Sequence, residues 1–544
     1  NNSERPADLL LINGQIYTQD DALQQVEALA ISDGKIVAAG SSRELMAWQG
    51  DSTKILDLTQ RVVLPGFTDS HIHPISAGLR ILSCDLSELR DETAILQTIR
   101  EYARTHPEND WIKGGGLWLP AVGGGNPSRY LLDSLVADRP VYLTSTDGHS
   151  AWVNSKALEL AQINADTKDP TGGVIERQPD GEPSGVLREY AMRLVSRLIP
   201  PQSFTEKVQA LELAMHEAHR VGVTAWIDAA VDEESIKAYL ELERQGKLKL
   251  DVSLSLLTEI IKGMDAVAEV EALYQRYQAQ AQRINMHSTK ILIDGVIEGK
   301  TAALFDNYTG EDFRGEPYID AELYQQMIAA YDSLGFQVHV HACGDRAVSM
   351  TLDAFEYAQA QHGKSDHRHH IVHLQLMKEK DIPRFAELDL TANLQTLWAT
   401  PEDTYISELT IPVLGPQRSE WIYPFGAIAR TGARIACGSD WPVTSVNPFP
   451  ALQVAVSRRG PDSLKRTPWT PQHLLSRQAV VSGYTIGGAY LMNQDTHRGR
   501  LCPGMDASLI VLDQDVFHLP TNHLYQIKPV LTLWRGEPVF SAID

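Results

Sequence analysis

His71-Ile72-His73 places two imidazoles one residue apart, inside Leu64-Pro65-Gly66-Phe67-Thr68-Asp69-Ser70-His71-Ile72-His73-Pro74. The stretch from Lys54 to Leu64 is β-rich and is broken by Pro65-Gly66, and Phe67 to His73 reads as a short buried strand. Side chains two apart on a strand point the same way, so both rings look into one space. Two neutral imidazoles on a rigid strand can hold a divalent transition metal, with zinc the usual choice. The same spacing also suits one core histidine and one solvent-facing one, and the motif alone does not decide.

Four later segments repeat the theme. Lys290 lies in the apolar run Ser288 to Gly295, where a lysine is costly unless paired or modified. Carboxylation by carbon dioxide would make it a carbamate able to bridge two metals; for this segment taken alone, an ion pair with a nearby acid such as Asp294 or Glu298 is the better reading. Gln337-Val338-His339-Val340-His341 puts two more histidines on one strand face, with His341 nearer the end. His373 closes Arg368-His369-His370-Ile371-Val372-His373, where His369 and His370 read as structural or supporting. Ile435 to Asp440 ends a strand with a carboxylate, though Gly438-Ser439-Asp440 is also a common turn or helix cap. Together, strand ends carrying His-x-His, Lys, His, His and Asp make a metal site by ligand type and placement.

The elements that must position these groups follow from the pattern. Residues 8–62 read as all-β, with hairpin signals at Asn13-Gly14 and at Ser32-Asp33-Gly34. Ser508 to Leu512 and Val530 to Trp534 read the same way, so the two chain ends, 1–62 and 491–544, form halves of one small β-sandwich. From 63 to 490, strands at 223–228, 251–257, 288–294, 336–341, 369–373, 390–395 and 433–438 alternate with helices at 205–220, 233–246, 320–334, 346–361 and 376–387. Such alternation implies parallel strands with helical crossovers, an α/β barrel or open sheet. In a barrel, chemistry gathers at the carboxyl ends of the strands. Between about 75 and 200 the alternation weakens, and Gly114-Gly115-Gly116, Gly123-Gly124-Gly125 and Pro179 to Pro183 punctuate it as turns. This stretch reads as an insertion over the barrel mouth.

Composition narrows the class. Of 544 residues, 43% are hydrophobic and 22% charged, an ordinary globular balance. The net charge of -22 argues against nucleic acid or anionic membrane as the main partner. No apolar run reaches the roughly 18 residues needed to span a bilayer. The four cysteines are far apart and lack CxxC spacing, which argues against a disulfide framework. A polar start without Met fits a removed export leader somewhat better than a cytoplasmic chain.

The opening Pro65 to His73, Asp147-Gly148-His149-Ser150-Ala151-Trp152-Val153-Asn154-Ser155, Asp294 to Gly299, His341-Ala342-Cys343-Gly344-Asp345, Gly438 to Pro442 and Gly499 to Leu509 together resemble the amidohydrolase superfamily. The resemblance is to its amidohydrolase-3 group, typified by YtcJ-like and N-substituted formamide deformylase proteins, and covers nearly the whole chain. Met505 and Ser508 stand where the family more often has Lys and Asp, and Val372 precedes His373 where it often has Glu. The resemblance implies a (β/α)8 barrel holding one or two metals, commonly zinc. It implies His71, His73, His341 and His373 as ligands, Lys290 as a carbamate bridge, and Asp440 as ligand and acid/base. Asp294, Asp345 and Arg346 would support the site or meet substrate, and His149, Trp152 and Asn154 would lie in the insertion, either lining the pocket as substrate-binding residues or, the reading each favours on its own, serving a structural role. The activity implied is hydrolysis of a C–N bond in an amide, N-formyl or cyclic imide small molecule, through a metal-activated hydroxide. An esterase or lactonase, or a binding protein that kept the barrel, are the alternatives. A homodimer is compatible with all of them.

Overall fold

The computed structural model describes residues 6–146, 148–171, 173–401, 405–460 and 468–543. Asp147, part of the sequence motif around His149, lies outside the described residues. Two compact units are present: residues 1–74 with 214–544, and residues 75–213.

The first unit contains eight parallel strands in sequential order: Phe67–Ile72, Val223–Val231, Asp251–Leu257, Ile284–Leu292, Gln337–Ala342, His370–His373, Thr391–Leu394 and Ile435–Cys437. Their residues are almost all buried, as strands covered on both faces require. This is a (β/α)8 barrel. The first and eighth strands meet just past their ends, where Asp440 N donates to the His71 carbonyl at 2.7 Å and His73 N to the Trp441 carbonyl at 2.9 Å. Gly438 permits that approach, since a Cβ there would stand 2.6 Å from His71 N. Barrel closure thus itself brings Asp440 to the His-x-His.

Crossover helices fall at Phe204–Arg220, Glu233–Arg244, Ala321–Ser333 and Asp345–His362, on the sequence pattern. The helix expected over 376–387 is reduced to a 3-10 turn, Glu379–Asp381, and a short helix, Arg384–Glu387. Pro383 interrupts the run: it has no N–H to donate and its ring crowds the preceding turn.

Two further sheets belong to this unit. One contains Lys35–Gly40, Ala28–Ser32, Leu9–Ile12 and Lys54–Asp57; the other contains Glu537–Ser541, Pro529–Trp534, Leu509–Leu512, Val62–Pro65, Gln15–Tyr17 and Gln25–Val26. Leu11, Leu29, Val63, Leu509, Val511 and Leu533 share one core, so both chain ends build a single sandwich. The turn at Asp33-Gly34 joins a true hairpin. Asn13-Gly14 does not: Leu9–Ile12 and Gln15–Tyr17 lie in different sheets. Asn13 takes a φ of +56° and the bare Cα of Gly14 packs on Leu58, where a Cβ would lie 2.4 Å from Cδ1. Burying both strands in the sandwich outweighs the local turn signal.

His219 and His473 are buried, each with Nε2 on a backbone carbonyl, Lys249 at 3.0 Å and Glu420 at 2.8 Å. Burial pushes both down to about 4. A histidine whose folded pKa is depressed binds its proton first in the unfolded chain, so its neutral form favours folding above the unfolded pKa of ~6.5, and that advantage shrinks as pH falls toward 4. His219→Gln should therefore make the unfolding free energy less steep in pH between 6 and 4.5 by about 1.4 kcal/mol per pH unit. Denaturant titrations at several pH values measure it; an unchanged slope would mean that His219 is not held neutral.

The second unit is built on a six-stranded sheet ordered Gly173–Arg177, Pro183–Glu189, Ser150–Val153, Val141–Ser145, Ile112–Leu117 and Cys84–Asp85. Its core holds Ile95, Ile99, Leu132, Leu143, Trp152 and Val186. Gly114-Gly115-Gly116 is strand, not the expected turn. A Cβ on Gly114 would lie 2.2 Å from the Cys84 carbonyl, so the glycines admit a close neighbour.

Candidate metal centre

Six of the residues singled out in the sequence stand at or near the carboxyl ends of five barrel strands, where the loops of such a barrel carry function. His71 lies near the end of the first strand and His73 just after it; Lys290 is in the fourth, His341 in the fifth and His373 ends the sixth. Asp440 follows the eighth by three residues. Asp440 Oδ1 is 3.2 Å from His71 Nε2 and 2.9 Å from His73 Nε2. The His373 ring is 4.8 Å from that of His71 and 4.6 Å from that of His341. His373 and Asp440 take φ of +78° and +56°, a region non-glycine residues avoid at a cost of order 1–3 kcal/mol. The surrounding contacts hold them there.

Those contacts are specific. Gln395 Oε1 accepts from His373 N at 3.1 Å and from His373 Nδ1 at 2.9 Å. An amide oxygen only accepts, so the His373 proton sits on Nδ1 and Nε2 keeps its lone pair. Trp398 stacks on the other side, centroids 4.8 Å apart and planes 7° from parallel. Gln395 was missing from the sequence reading, though as a polar residue just past the seventh strand it carried the same positional signal as the others.

Burial pushes His71 down to about 3 and His341 to about 4, and takes His373 well below its ordinary value. The rings are therefore neutral. Burial opposes charge on Asp440, but the imidazoles around it outweigh that and hold its carboxyl well below the usual range. Burial brings Lys290 down to about 8. Among the described residues no carboxylate pairs with its ammonium. Asp294 instead accepts from the backbone N–H groups of Ala303, Cys343 and Gly344 at 2.8–3.0 Å, and Glu298 takes Gln375 Nε2 at 2.7 Å. The ion-pair alternative for Lys290 thus has neither of its two partners.

The donor set fits a divalent cation. Asp440 Oδ1 is buried close to two imidazole nitrogens yet makes no hydrogen bond of acceptable geometry. Donor atoms of His71, His373 and Asp440 all fall within 4.8 Å of one another. His341 is arranged differently. Its Nε2 lies 2.9 Å from the Gly295 carbonyl and 3.5 Å from Cys343 Sγ, forming a second buried group with Cys343 and Asp294.

The remaining candidates have other partners. Arg346 Nη2 reaches Glu316 at 3.3 Å rather than the cluster. In the second unit, Trp152 is wholly buried in the core with Nε1 donating to the Ser128 carbonyl at 3.2 Å. Asn154 caps the helix Ser155–Leu160 and bonds to Val136, Arg139 and Val141. Both are structural and do not line a pocket, so of the two roles open to them in the sequence the substrate-binding one is corrected: the apolar and capping demands of this unit consume them. His149 is exposed, with Nδ1 3.0 Å from Glu189 Oε1.

A (β/α)8 barrel with buried histidines and an aspartate at its strand ends is the architecture of a metal-dependent hydrolase. Residues 54–540 match the amidohydrolase family, and the chain belongs to it. It is 30% identical to putative amidohydrolase YtcJ of Bacillus subtilis, over 97% of this chain and 98% of that protein. It is 24% identical to N-substituted formamide deformylase of Arthrobacter pascens, over 97% of each. A solved metal-dependent hydrolase from Pyrococcus furiosus superposes with a TM-score of 0.73 at 25% identity, covering 94% of this chain and 99% of that one. No helix among the described residues is long and apolar enough to cross a membrane.

Proposed function

We propose that this protein hydrolyses a C–N bond of a small amide, N-formyl compound or cyclic imide at the cluster of His71, His73, His373 and Asp440. The observation that carries the reading is Asp440 Oδ1, buried 3.2 Å from His71 Nε2 and 2.9 Å from His73 Nε2 without a hydrogen bond to either, its carboxyl held well below the usual range. His71, His73, His373 and Asp440 hold a divalent ion, zinc being the expected one, and His341 with Lys290 extends the set toward a second. Such an ion supplies Lewis acidity and makes water acidic enough to attack near neutral pH.

Asp440 moves the proton. Its carboxylate accepts one from the attacking water and returns it to the departing nitrogen, which leaves as a neutral amine. Lys290, brought down to about 8 by burial and with no carboxylate paired to it among the described residues, reacts with carbon dioxide through the minor fraction of it that is neutral amine near neutral pH. Its Nζ forms the N–C bond and loses one proton, giving a carbamate anion in place of a buried cation. Trp398, half-exposed and stacked on His373, offers an apolar face to the substrate beside the reacting centre. The deformylase relative, by its name, cleaves an N-formyl group, which supports carbon–nitrogen over carbon–oxygen specificity.

A panel of N-substituted formamides, simple amides, cyclic imides, esters and lactones tests the reading. Turnover with the nitrogen compounds, exceeding that with matched esters, is expected. Hydrolysis of esters or lactones alone would reassign the specificity, and none across the panel with metal bound would favour a binding protein.

A further inference from the structure

His339 has no part in the chemistry above, yet it is fully buried in the barrel and hydrogen-bonded to a proposed ligand. Its Nε2 lies 2.8 Å from His71 Nδ1, and its Nδ1 lies 2.9 Å from Ser255 Oγ, which is 3.1 Å from Ser288 Oγ. All four residues are at most 1% exposed. His370 stacks on His339 with centroids 4.0 Å apart, which fixes the plane of the ring.

We propose that His339 is a positioning residue that holds His71 in its Nδ1–H tautomer, with the Ser255–Ser288 pair holding His339 in turn. Two ring nitrogens 2.8 Å apart share one hydrogen, carried by one ring and accepted by the other. If His339 Nε2 donates, the His71 hydrogen must sit on Nε2, which then cannot bind a cation. If His71 Nδ1 donates, Nε2 presents a lone pair 3.2 Å from Asp440 Oδ1, an arrangement that a bound cation between the two stabilises. The second polarity requires His339 to carry its hydrogen on Nδ1 and give it to Ser255 Oγ, whose own hydrogen passes to Ser288. Every link has a partner at hydrogen-bonding distance.

The neighbouring ligand shows the contrast. The His373 proton is directed by Gln395 Oε1, which cannot reverse, and Gln395 Nε2 continues to Asn393 Oδ1 at 3.2 Å. The His373 tautomer is thus fixed by an amide, whereas that of His71 depends on His339 accepting at Nε2 while its Nδ1 gives its hydrogen to Ser255. Loss of His339 should weaken metal binding through His71 without touching a ligand.

The proposal rests on the metal reading, and zinc affinity separates the two. Zinc is titrated into chelator-stripped protein against a competing chelator, for the native chain, His339→Phe, His339→Gln and Ser255→Ala, with thermal unfolding of each metal-free protein alongside. His339→Phe should raise the zinc dissociation constant by about 10- to 100-fold, the range for lost supporting partners of metal histidines. His339→Gln, which keeps an acceptor, should recover much of the loss, and Ser255→Ala should show a smaller weakening. Lowered thermal stability with native zinc affinity in His339→Phe would overturn the proposal. Should that variant not fold, native affinity in Ser255→Ala overturns it instead. If the native chain takes up no zinc, the metal reading itself fails, and this proposal with it.

Discussion

Asp440→Asn is expected to stay folded, keep near-normal metal content and lose kcat by at least about 10³-fold, within the range for removal of a general acid/base. The change removes the charge and the proton-accepting oxygen while keeping the shape. Asp440 N still donates to the His71 carbonyl, so barrel closure is unaffected. The φ of +56° is one that Asn tolerates as readily as Asp. His71, His73 and His373 remain to hold the ion. Asp440→Ala should behave alike in activity, with a stability cost for the positive φ. Elemental analysis beside steady-state rates on the best substrate of the panel decides the matter. An active Asn variant would assign the proton transfer to another group.

Lys290→Ala is expected to remove most activity and to regain part of it in short carboxylic acids such as acetate or propionate. The lysine is buried in the fourth strand, near enough to His71, His341, His373 and Asp440 for their charges to interact, and truncation removes its bulk there. If a carbamate fills that place, a small carboxylate can enter and supply the same anionic oxygens. The expected result is a saturable rise in rate with acid concentration, absent in the native protein. No recovery, together with full metal occupancy, would make Lys290 an unmodified lysine.

The barrel and most of the cluster were legible in the sequence because parallel strands buried on both faces read as apolar runs, and a charged or imidazole side chain within one stands out. His71, His73, His373 and Asp440 were read that way and are brought together. The orientation of His341 was not legible, because the Gly295 carbonyl that takes its Nε2 belongs to a loop 46 residues away. The role of Gln395 depends on a cross-strand contact to the positive-φ backbone at His373, which no local pattern encodes. Trp152 and Asn154 were drawn into the site by motif resemblance, while the packing and capping needs of the second unit explain them fully. At Asn13-Gly14 a strong turn signal was obeyed as a turn, yet the strands it joins part into two sheets, since pairing partners come from residues 54–65.

Metal content per chain, measured by elemental analysis of protein purified without chelator and with bicarbonate present, decides whether the cluster is a metal centre. One to two equivalents of a divalent metal, chiefly zinc, are expected, with two equivalents when Lys290 is carboxylated. No bound metal, even after reconstitution with zinc, would contradict this and leave the buried histidines and Asp440 to a different chemistry.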